Sequence, residues 1–370
     1  MKEIAKSMGV SSASVSFVLN GKPGISESLR KSISQVLIRE GYTVKPLSRG
    51  SEPEQPCTLP SRKILFVKFK KEGYFVENNG DYITKMLDGA EEAAKEFGCS
   101  MGIVNVDKDT VERTLCSANH DPNLAGVIFL GTEFHAEESG VLRVLNCPLV
   151  VVDTRLGSAP FDTVSIDEQM GVYHAIHHLT SLGHRRITYI RSAIKNEESL
   201  EREAAFEAAA VRLGLDRGDI RYLDALPNAQ DSYRVLYQAL QEAPPSTAYF
   251  AANDTMAIGA LRALKQAGCR VPENVSLIGF DNVNIGEAVD PPLTSIDIGK
   301  HEIGALAVSR LMEQTAKGAG RFNVRMLVGT QLVVRGSTGP VMLPAVKLEE
   351  ERYENGVEAE AGQDSLVKKT

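Results

Sequence analysis

The chain has 370 residues, 43% of them hydrophobic, so it can bury the cores of two or three domains. Its net charge of −7 argues against a protein that is basic throughout, although residues 1–50 carry +5 and the remainder −12. No apolar run reaches the roughly 20 residues of a membrane span, and the N-terminus lacks the apolar core of a signal peptide, so we expect a cytoplasmic protein without membrane contact.

Three short amphipathic helices are predicted in the first 42 residues. Gly9 ends the first helix, Ser11 caps the second, Asn20-Gly21 ends it, and Ser26 caps the third. Their expected inward-facing residues are Ile4, Ala5, Met8, Val15, Val18, Leu19, Leu29, Ile33, Val36 and Leu37. Two short helices around a glycine turn, supported by a third, describe a helix-turn-helix. The alternative is a small structural bundle with Phe17 folded back onto it.

The second helix has an outward face of small side chains and one aromatic ring. With its apolar row buried, Ser12, Ala13, Ser16 and Phe17 point outward. Small residues let a helix lie close in the major groove of DNA. Hydroxyls can bind base edges or phosphates, and Ala or Phe can touch a thymine methyl group. The basic charge of this region also favours a polyanionic partner.

Beyond a proline-rich linker, apolar runs alternate with amphipathic helical stretches. The strand-like runs are Ile64–Phe69, Gly126–Gly131, Leu149–Asp153, Arg186–Arg191, Thr247–Asp254 and Val275–Asp281. The clearest helical stretches are Asp81–Gly98 and Asp254–Gly268. This alternation predicts doubly wound parallel sheets, in which ligands bind at the carboxyl ends of the strands. Asp153, Asn253, Asp254 and Asp281 stand at such ends, where helix capping is the alternative role for each.

Residues 4–42, IAKSMGVSSASVSFVLNGKPGISESLRKSISQVLIREGY, closely resemble the DNA-binding domain of the LacI/GalR transcription regulators. The resemblance puts the principal base-reading positions on Ser12, Ala13 and Phe17, where members often carry Arg or His in place of Phe17. The predicted DNA-contacting residues are Ser11, Ser12, Ala13, Ser16, Phe17, Asn20 and Arg49. Arg49 matches the arginine of the family's A-R-x-L hinge, but Ser51 replaces its leucine wedge, which leaves operator kinking in doubt.

The resemblance extends through the body to about residue 338. It rests on DTVSIDEQMGVYHAIHHLTSLGHRRITYI, AANDTMAIGAL and SLIGFDNVNIGEAVDPPLTSI, with Glu168 in place of the family's usual Asn. By this resemblance the residues lining an effector cleft are Tyr82, Asp153, Arg202, Asn253 and Asp281. Carboxylates, an amide, an arginine and an aromatic ring suit a sugar or related polyol, which we favour over a nucleobase.

The resulting expectation is a helix-turn-helix head over 1–45, a hinge over 46–62, a body over 63–338 and a flexible tail over 339–370. The body would be two doubly wound parallel-sheet lobes of periplasmic-binding-protein type, the first built from 63–162 and 293–323 and the second from 163–292 and 324–338. The family implies a homodimeric repressor that binds operator DNA and a small effector. A solute-binding protein or a sugar-processing enzyme is the alternative. Neither a cofactor nor a metal is expected, since no motif for either is present.

Overall fold

The computed structural model describes residues 2–20, 22, 24–40, 42, 44, 62–73, 80–318 and 322–342. The predicted hinge therefore lies outside the described residues except for Arg62, as do Arg49 and most of the predicted tail. None of the helices in the described ranges is both long enough and apolar enough to cross a membrane.

Three helices form the head: α1 (Lys2–Ser7), α2 (Ser12–Leu19) and α3 (Glu27–Arg39). Their buried side chains make one small core, which consists of Ala5, Val15, Val18, Ile33 and Leu37. The Ser11 hydroxyl accepts a hydrogen bond from the Ser14 N–H at 3.1 Å, so it caps α2 as predicted. The helix-turn-helix prediction is confirmed. Ser26 occupies the N-cap position of α3, but its side chain makes no capping hydrogen bond.

The elements of the body alternate as the apolar pattern predicts. In chain order they are β1 (Arg62–Phe69), α4 (Gly80–Glu96), β2 (Cys99–Val106), α5 (Val111–Ala118), β3 (Leu124–Leu130), β4 (Leu149–Val152), β5 (Asp162–Ile166), α6 (Glu168–Ser181), β6 (Ile187–Ser192), α7 (Glu197–Arg212), β7 (Ile220–Ala225), α8 (Ala229–Glu242), β8 (Ala248–Ala251), α9 (Asp254–Gln266), β9 (Ser276–Ile278), α10 (Ile285–Ala288), β10 (Ser295–Asp297), α11 (Lys300–Lys317), β11 (Arg325–Val328) and β12 (Gln331–Val333). Short 3-10 helices cover Ala136–Val144 and Arg217–Asp219.

The strands form two parallel sheets and one short antiparallel pair. The larger sheet has the order β11-β5-β4-β3-β1-β2 and the smaller one β7-β6-β8-β9. Every pairing within these two sheets is parallel, whereas β10 and β12 pair antiparallel. We call the larger sheet with α4, α5 and α11 the N-lobe, and the smaller sheet with α6–α9, β10 and β12 the C-lobe. The predicted fold class is confirmed.

Burial explains the composition of the strands. The inner strands β3, β4 and β5 are buried along almost their whole length, because helices cover both faces of a parallel sheet. Alternate residues of β3 enter different cores: Ile128 joins the large cluster shared with the C-lobe, and Phe129 joins a cluster under α5. The edge strands β2 and β11 are more exposed and less continuously apolar, which is why the sequence pattern missed them.

The chain crosses between the lobes several residues later than predicted, and this corrects the predicted lobe limits. β5 pairs with β4 and β11 pairs with β5, so both belong to the N-lobe rather than to the second lobe. Conversely, β10 pairs with β12, so β10 belongs to the C-lobe and not to the predicted N-lobe segment that begins at residue 293. Strand pairing sets these limits: Gly299 and Gly329 lie at the second and third crossings, but the first, between β5 and α6, has neither glycine nor proline.

Two glycines let α4 and α11 approach closely. A Cβ atom added at Gly89 would lie 2.0 Å from the His301 carbonyl oxygen, and one at Gly304 would lie 1.9 Å from the Met86 carbonyl oxygen. Such distances are far inside van der Waals contact, so glycine is needed at both positions for the helices to pack at this separation.

Candidate functional site

All five residues predicted to contact an effector line one cavity between the lobes. Tyr82 and Asp153 come from the N-lobe, and Arg202, Asn253 and Asp281 come from the C-lobe. In this arrangement the cavity is narrow, with a volume of about 40 Å³. Further polar lining residues, which sequence reasoning missed, are Thr132, Ser192, Asn196, Glu198 and Ser199.

The topology explains why these side chains meet. Asp153 directly follows β4, Ser192 ends β6, and Asn253 follows β8 by two residues. Because parallel strands share one carboxyl edge, residues at their ends converge at the crevice there. Asp153 and Asp281 have φ angles of 66° and 95°, so their backbone turns sharply where each strand ends.

Asp153 is the centre of a buried hydrogen-bond cluster. The Thr132 hydroxyl donates to its Oδ2 at 2.5 Å, and the Tyr82 hydroxyl donates to its Oδ1. Burial raises the pKa of Asp153, although hydrogen bonds from Glu198, Thr132 and Tyr82 oppose this effect. Burial and the neighbouring Asp153 also raise the pKa of Tyr82, which therefore stays a hydrogen-bond donor.

Arg202 is held by a carboxylate within its own lobe. Its Nε and Nη2 atoms donate to the two oxygens of Glu168 at 2.8 and 2.7 Å, and Nη1 donates to the Ala252 carbonyl. The guanidinium also lies 3.9 Å above the centre of the Phe280 ring. Burial opposes the charge of Arg202, but Glu168 beside it outweighs this and raises the pKa of the guanidinium. The pair is a buried, bidentate ion pair.

Two of the strand-end residues, Asn253 and Asp254, make hydrogen bonds that stabilise the fold. The Asn253 side chain caps α9 by accepting from the Met256 N–H at 2.8 Å, and the residue also lines the cavity. Asp254 accepts from the Ser295 hydroxyl at 2.6 Å and from the Val283 N–H at 2.8 Å. Burial raises the pKa of Asp254 to about 7, against the hydrogen bond from Ser295.

The start of α7 ties the two lobes together beside the cavity. The Glu197 carboxylate accepts hydrogen bonds from the Thr154 hydroxyl at 2.5 Å, the Leu156 N–H at 2.7 Å and the Gly157 N–H at 2.6 Å. The Asn196 side chain donates to the Thr132 carbonyl at 2.8 Å. We call this set of contacts the α7 latch, since it joins a C-lobe helix to the N-lobe loops that follow β3 and β4.

The head presents the predicted face of α2. Ser11, Ser12, Ala13 and Asn20 are exposed, and Ser16 is half-buried. The Asn20 side chain donates to the Ser16 carbonyl at 3.0 Å, so it closes the end of α2. Contact with DNA stays a prediction for all of these residues.

Phe17 is partly exposed and partly packed. Its side chain is 39% exposed, and its ring lies 3.7 Å from where a Cβ atom of Gly24 would stand. The ring is therefore not folded into the core of the head, and its outer part is free to meet a ligand.

Comparison with known proteins matches both parts of the chain. Residues 1–44 match the family described as bacterial regulatory proteins, lacI family, and residues 176–338 match the periplasmic binding protein-like domain. The HTH-type transcriptional repressor CytR of Escherichia coli (strain K12) is 27% identical over 346 residues, which cover 91% of this chain and 96% of CytR. The relatives found are transcriptional regulators, not enzymes.

Solved structures match the fold over most of the chain. The complex of the transcriptional regulator CelR with cellobiose superposes with a TM-score of 0.64 at 24% identity and covers 90% of this chain and 98% of that one. The lac repressor dimer bound to operator and the anti-inducer ONPF gives a TM-score of 0.64 at 22% identity, covering 75% and 95%. These structures share the fold, and the two family models, which match the head at residues 1–44 and the body at residues 176–338, show that the chain belongs to the LacI family of bacterial transcriptional regulators.

Proposed function

We propose that this regulator is a repressor whose affinity for operator DNA is set by a small hydroxylated effector bound between the lobes. The observation that carries the proposal is the cavity itself, in which hydroxyl, amide and carboxyl groups of both lobes face one another. A ligand that contacts both lobes binds the closed arrangement more tightly than the open one, and so shifts their relative orientation. As a DNA-binding regulator the protein would act in the cytoplasm.

The polar groups of the cavity suit a sugar or related polyol. Adjacent hydroxyls can donate to Asp153 and Asp281 and exchange hydrogen bonds with Asn253, while Ile298 and the ring of Tyr82 offer apolar surface. CelR, which shares the fold, was solved with cellobiose. The lac repressor of known structure is a dimer on its operator. We extend both properties to this chain as a homodimeric, sugar-responsive repressor.

The DNA-binding part of the proposal is tested by selecting bound duplexes from a random DNA pool with the full-length protein. A homodimer should enrich a palindrome whose half-sites lie a helical repeat or so apart. Phe17→Ala should weaken binding to that palindrome roughly fivefold, about 1 kcal/mol, and relax the preference at one base pair per half-site.

Ile38→Ala is the matched control, since Ile38 is 64% exposed on α3 rather than α2. We expect it to leave operator affinity unchanged. Absence of any enriched sequence at low salt would overturn the regulator function for this chain.

Effector control is then tested by titrating neutral mono- and disaccharides while operator binding is followed by fluorescence anisotropy. A repressor should also lower transcription from a promoter that overlaps the palindrome.

A further inference from the structure

The cavity carries an excess of acidic groups. Among the described residues, three carboxyl side chains line it, those of Asp153, Glu198 and Asp281, against one cationic lining residue, Arg202. The buried Lys300, which is not part of the lining, interacts electrostatically with Asp281. The lining is therefore acidic even before the surroundings of Arg202 are considered.

Arg202 does not offset this excess, because Glu168 already neutralises it. Both oxygens of Glu168 accept from the guanidinium, and Glu168 is only 1% exposed. A third donor is directed to the Ala252 carbonyl and the guanidinium face rests on Phe280. An anionic effector would thus meet the carboxylates of Asp153 and Asp281 and a cation that is already compensated, which is an unfavourable environment for a phosphate or a carboxylate.

Asp153 of the N-lobe and Glu198 of the C-lobe line the same cavity, and burial together with the nearby Asp153 raises the pKa of Glu198. Two carboxyl groups can share a hydrogen bond only if one of them keeps a proton. Oε1 of Glu198 is shielded from solvent and has no donor partner among the described residues. The pair therefore has an acceptor site that the protein itself leaves unfilled.

We propose that the effector carries a protonated amine beside its hydroxyl groups, as a 2-amino sugar does, and that the ammonium lies between Asp153 and Glu198. The inference rests on the proposed function, since it names the chemical class of the ligand for the same cavity. An ammonium supplies three donors and one positive charge. Those donors can reach Oε1 of Glu198 and the carboxylate of Asp153, and the charge offsets the acidic lining.

Binding of this ligand releases a proton. The ligand arrives as R–NH₃⁺ and keeps its three protons. Glu198 passes from the neutral acid to the carboxylate, and its proton goes to the solvent. In the unliganded protein, burial and then Asp153 raise the pKa of Glu198 well above its ordinary range, so the proton is there to be released. The charge of Glu168 also raises the pKa of Glu198, whereas the charge of Arg202 lowers it.

The test compares probe pairs that differ only in an amine for a hydroxyl. The pairs are D-glucosamine with D-glucose, D-galactosamine with D-galactose, and ethanolamine with ethylene glycol. We expect at least one amine to raise the melting temperature of the full-length protein and to bind at least tenfold more tightly than its hydroxyl partner. Calorimetric titration in phosphate and in MOPS, which differ in ionisation enthalpy, should show proton release on binding.

Glu198→Gln should abolish the preference for the amine and the proton release, because an amide neither carries the proton nor compensates an ammonium. Glu203→Gln is the matched control on the same helix, where Glu203 pairs with Arg191 and Lys195 within the C-lobe. It should retain both properties.

A second measurement examines the shared proton without a ligand. Since the pKa of Glu198 is higher in the folded protein than in the unfolded chain, its contribution to stability is complete below about pH 4. That contribution is lost as the pH rises through the raised pKa. The charged groups around Glu198 are Asp153, Glu168, Arg202 and, through Asp153, Asp281. Glu198→Gln should flatten the decline in stability above pH 5, and an unchanged pH profile would contradict the shared proton.

The outcomes separate the two proposals. If a hydroxyl probe binds as tightly as its amine partner, or binding is unchanged in Glu198→Gln, the ammonium site is wrong while the sugar-responsive repressor stands. If no amine in the three pairs changes the melting temperature, the ammonium site is also overturned. An enriched operator that no probe of either kind releases would contradict effector control by a hydroxylated ligand but keep the DNA-binding function.

Discussion

The Glu168–Arg202 ion pair packs against Phe280, a member of the large hydrophobic core. A charge there has almost no access to water. Glu168 is 1% exposed and Arg202 8%. Removing one member of such a pair leaves the other as an uncompensated buried charge, which costs far more than the pair contributes when intact. The pair is therefore a position where a single isosteric change has a large effect.

We expect Glu168→Gln to lower the free energy of unfolding by about 3 kcal/mol, because Arg202 loses its countercharge. Urea unfolding followed by circular dichroism measures the loss. Glu91→Gln is the control, since Glu91 pairs with Lys95 in an exposed i,i+4 contact, and its unfolding midpoint should stay unchanged. Equal midpoints for the two variants would show that Glu168 and Arg202 do not form a buried ion pair in solution.

At the scale of whole elements, the contact between α4 and α11 is set by backbone proximity. Gly89→Ala places a Cβ atom 2.0 Å from the His301 carbonyl oxygen. The helices must move apart, and we expect a loss of about 2–3 kcal/mol of stability. Thermal unfolding of the full-length protein measures it.

Gly80→Ala lies at the start of the same helix, α4, and its Cβ would meet nothing within 4 Å. Alanine favours a helix over glycine, so this variant should be neutral or more stable by about 0.5 kcal/mol. A loss at Gly80 as large as that at Gly89 would mean that helix propensity, and not the close contact with α11, determines both results.

The elements also show how far sequence reasoning reaches. Continuous apolar runs such as β3 and β4 and amphipathic helices such as α4 and α9 were predictable, since burial on both faces or on one face leaves a clear pattern. The edge strands β2 and β11 were not, because their outer residues tolerate polar side chains. The lobe crossings depend on pairings between strands that are distant in the chain, and no local pattern encodes them.

The sequence also predicted part of the candidate site. Resemblance to the family supplied five residues that the structure brings to one cavity. It did not supply Glu198, because Glu197 and Glu198 are adjacent, identical residues and only the register of α7 decides their partners. One enters the latch and the other lines the cavity. Glu168 was visible as a departure from the family pattern, but its partner Arg202 is 34 positions away in the chain.

At the scale of the whole molecule, we expect the α7 latch to set the balance between closed and open lobes. Glu197 accepts three hydrogen bonds from the N-lobe loop that follows β4. Glu197→Ala leaves those donors without their partner and should favour opening by about 2 kcal/mol, roughly a thirtyfold change in the ratio of closed to open forms. Small-angle X-ray scattering of the unliganded protein should then give a larger radius of gyration.

Glu203→Ala is the control, because it removes a glutamate of the same helix whose partners all lie in the C-lobe. Its scattering curve should match that of the unmodified protein. If Glu197→Ala also leaves the curve unchanged, the latch does not hold the lobes together, and the remaining contacts across the boundary suffice.

The neutralisation of Arg202 inside the C-lobe affects which metabolites the cavity can distinguish. Many intermediates of sugar metabolism are phosphorylated, and each offers hydroxyl groups much like those of the free sugar. Among the described residues, the one guanidinium that lines the cavity is already compensated by Glu168, so it is a poor counterion for their phosphates, and the carboxylates of Asp153 and Asp281 repel them. Under the proposed function, this arrangement would make transcription follow the supply of the free compound rather than the flux through its phosphorylated derivatives.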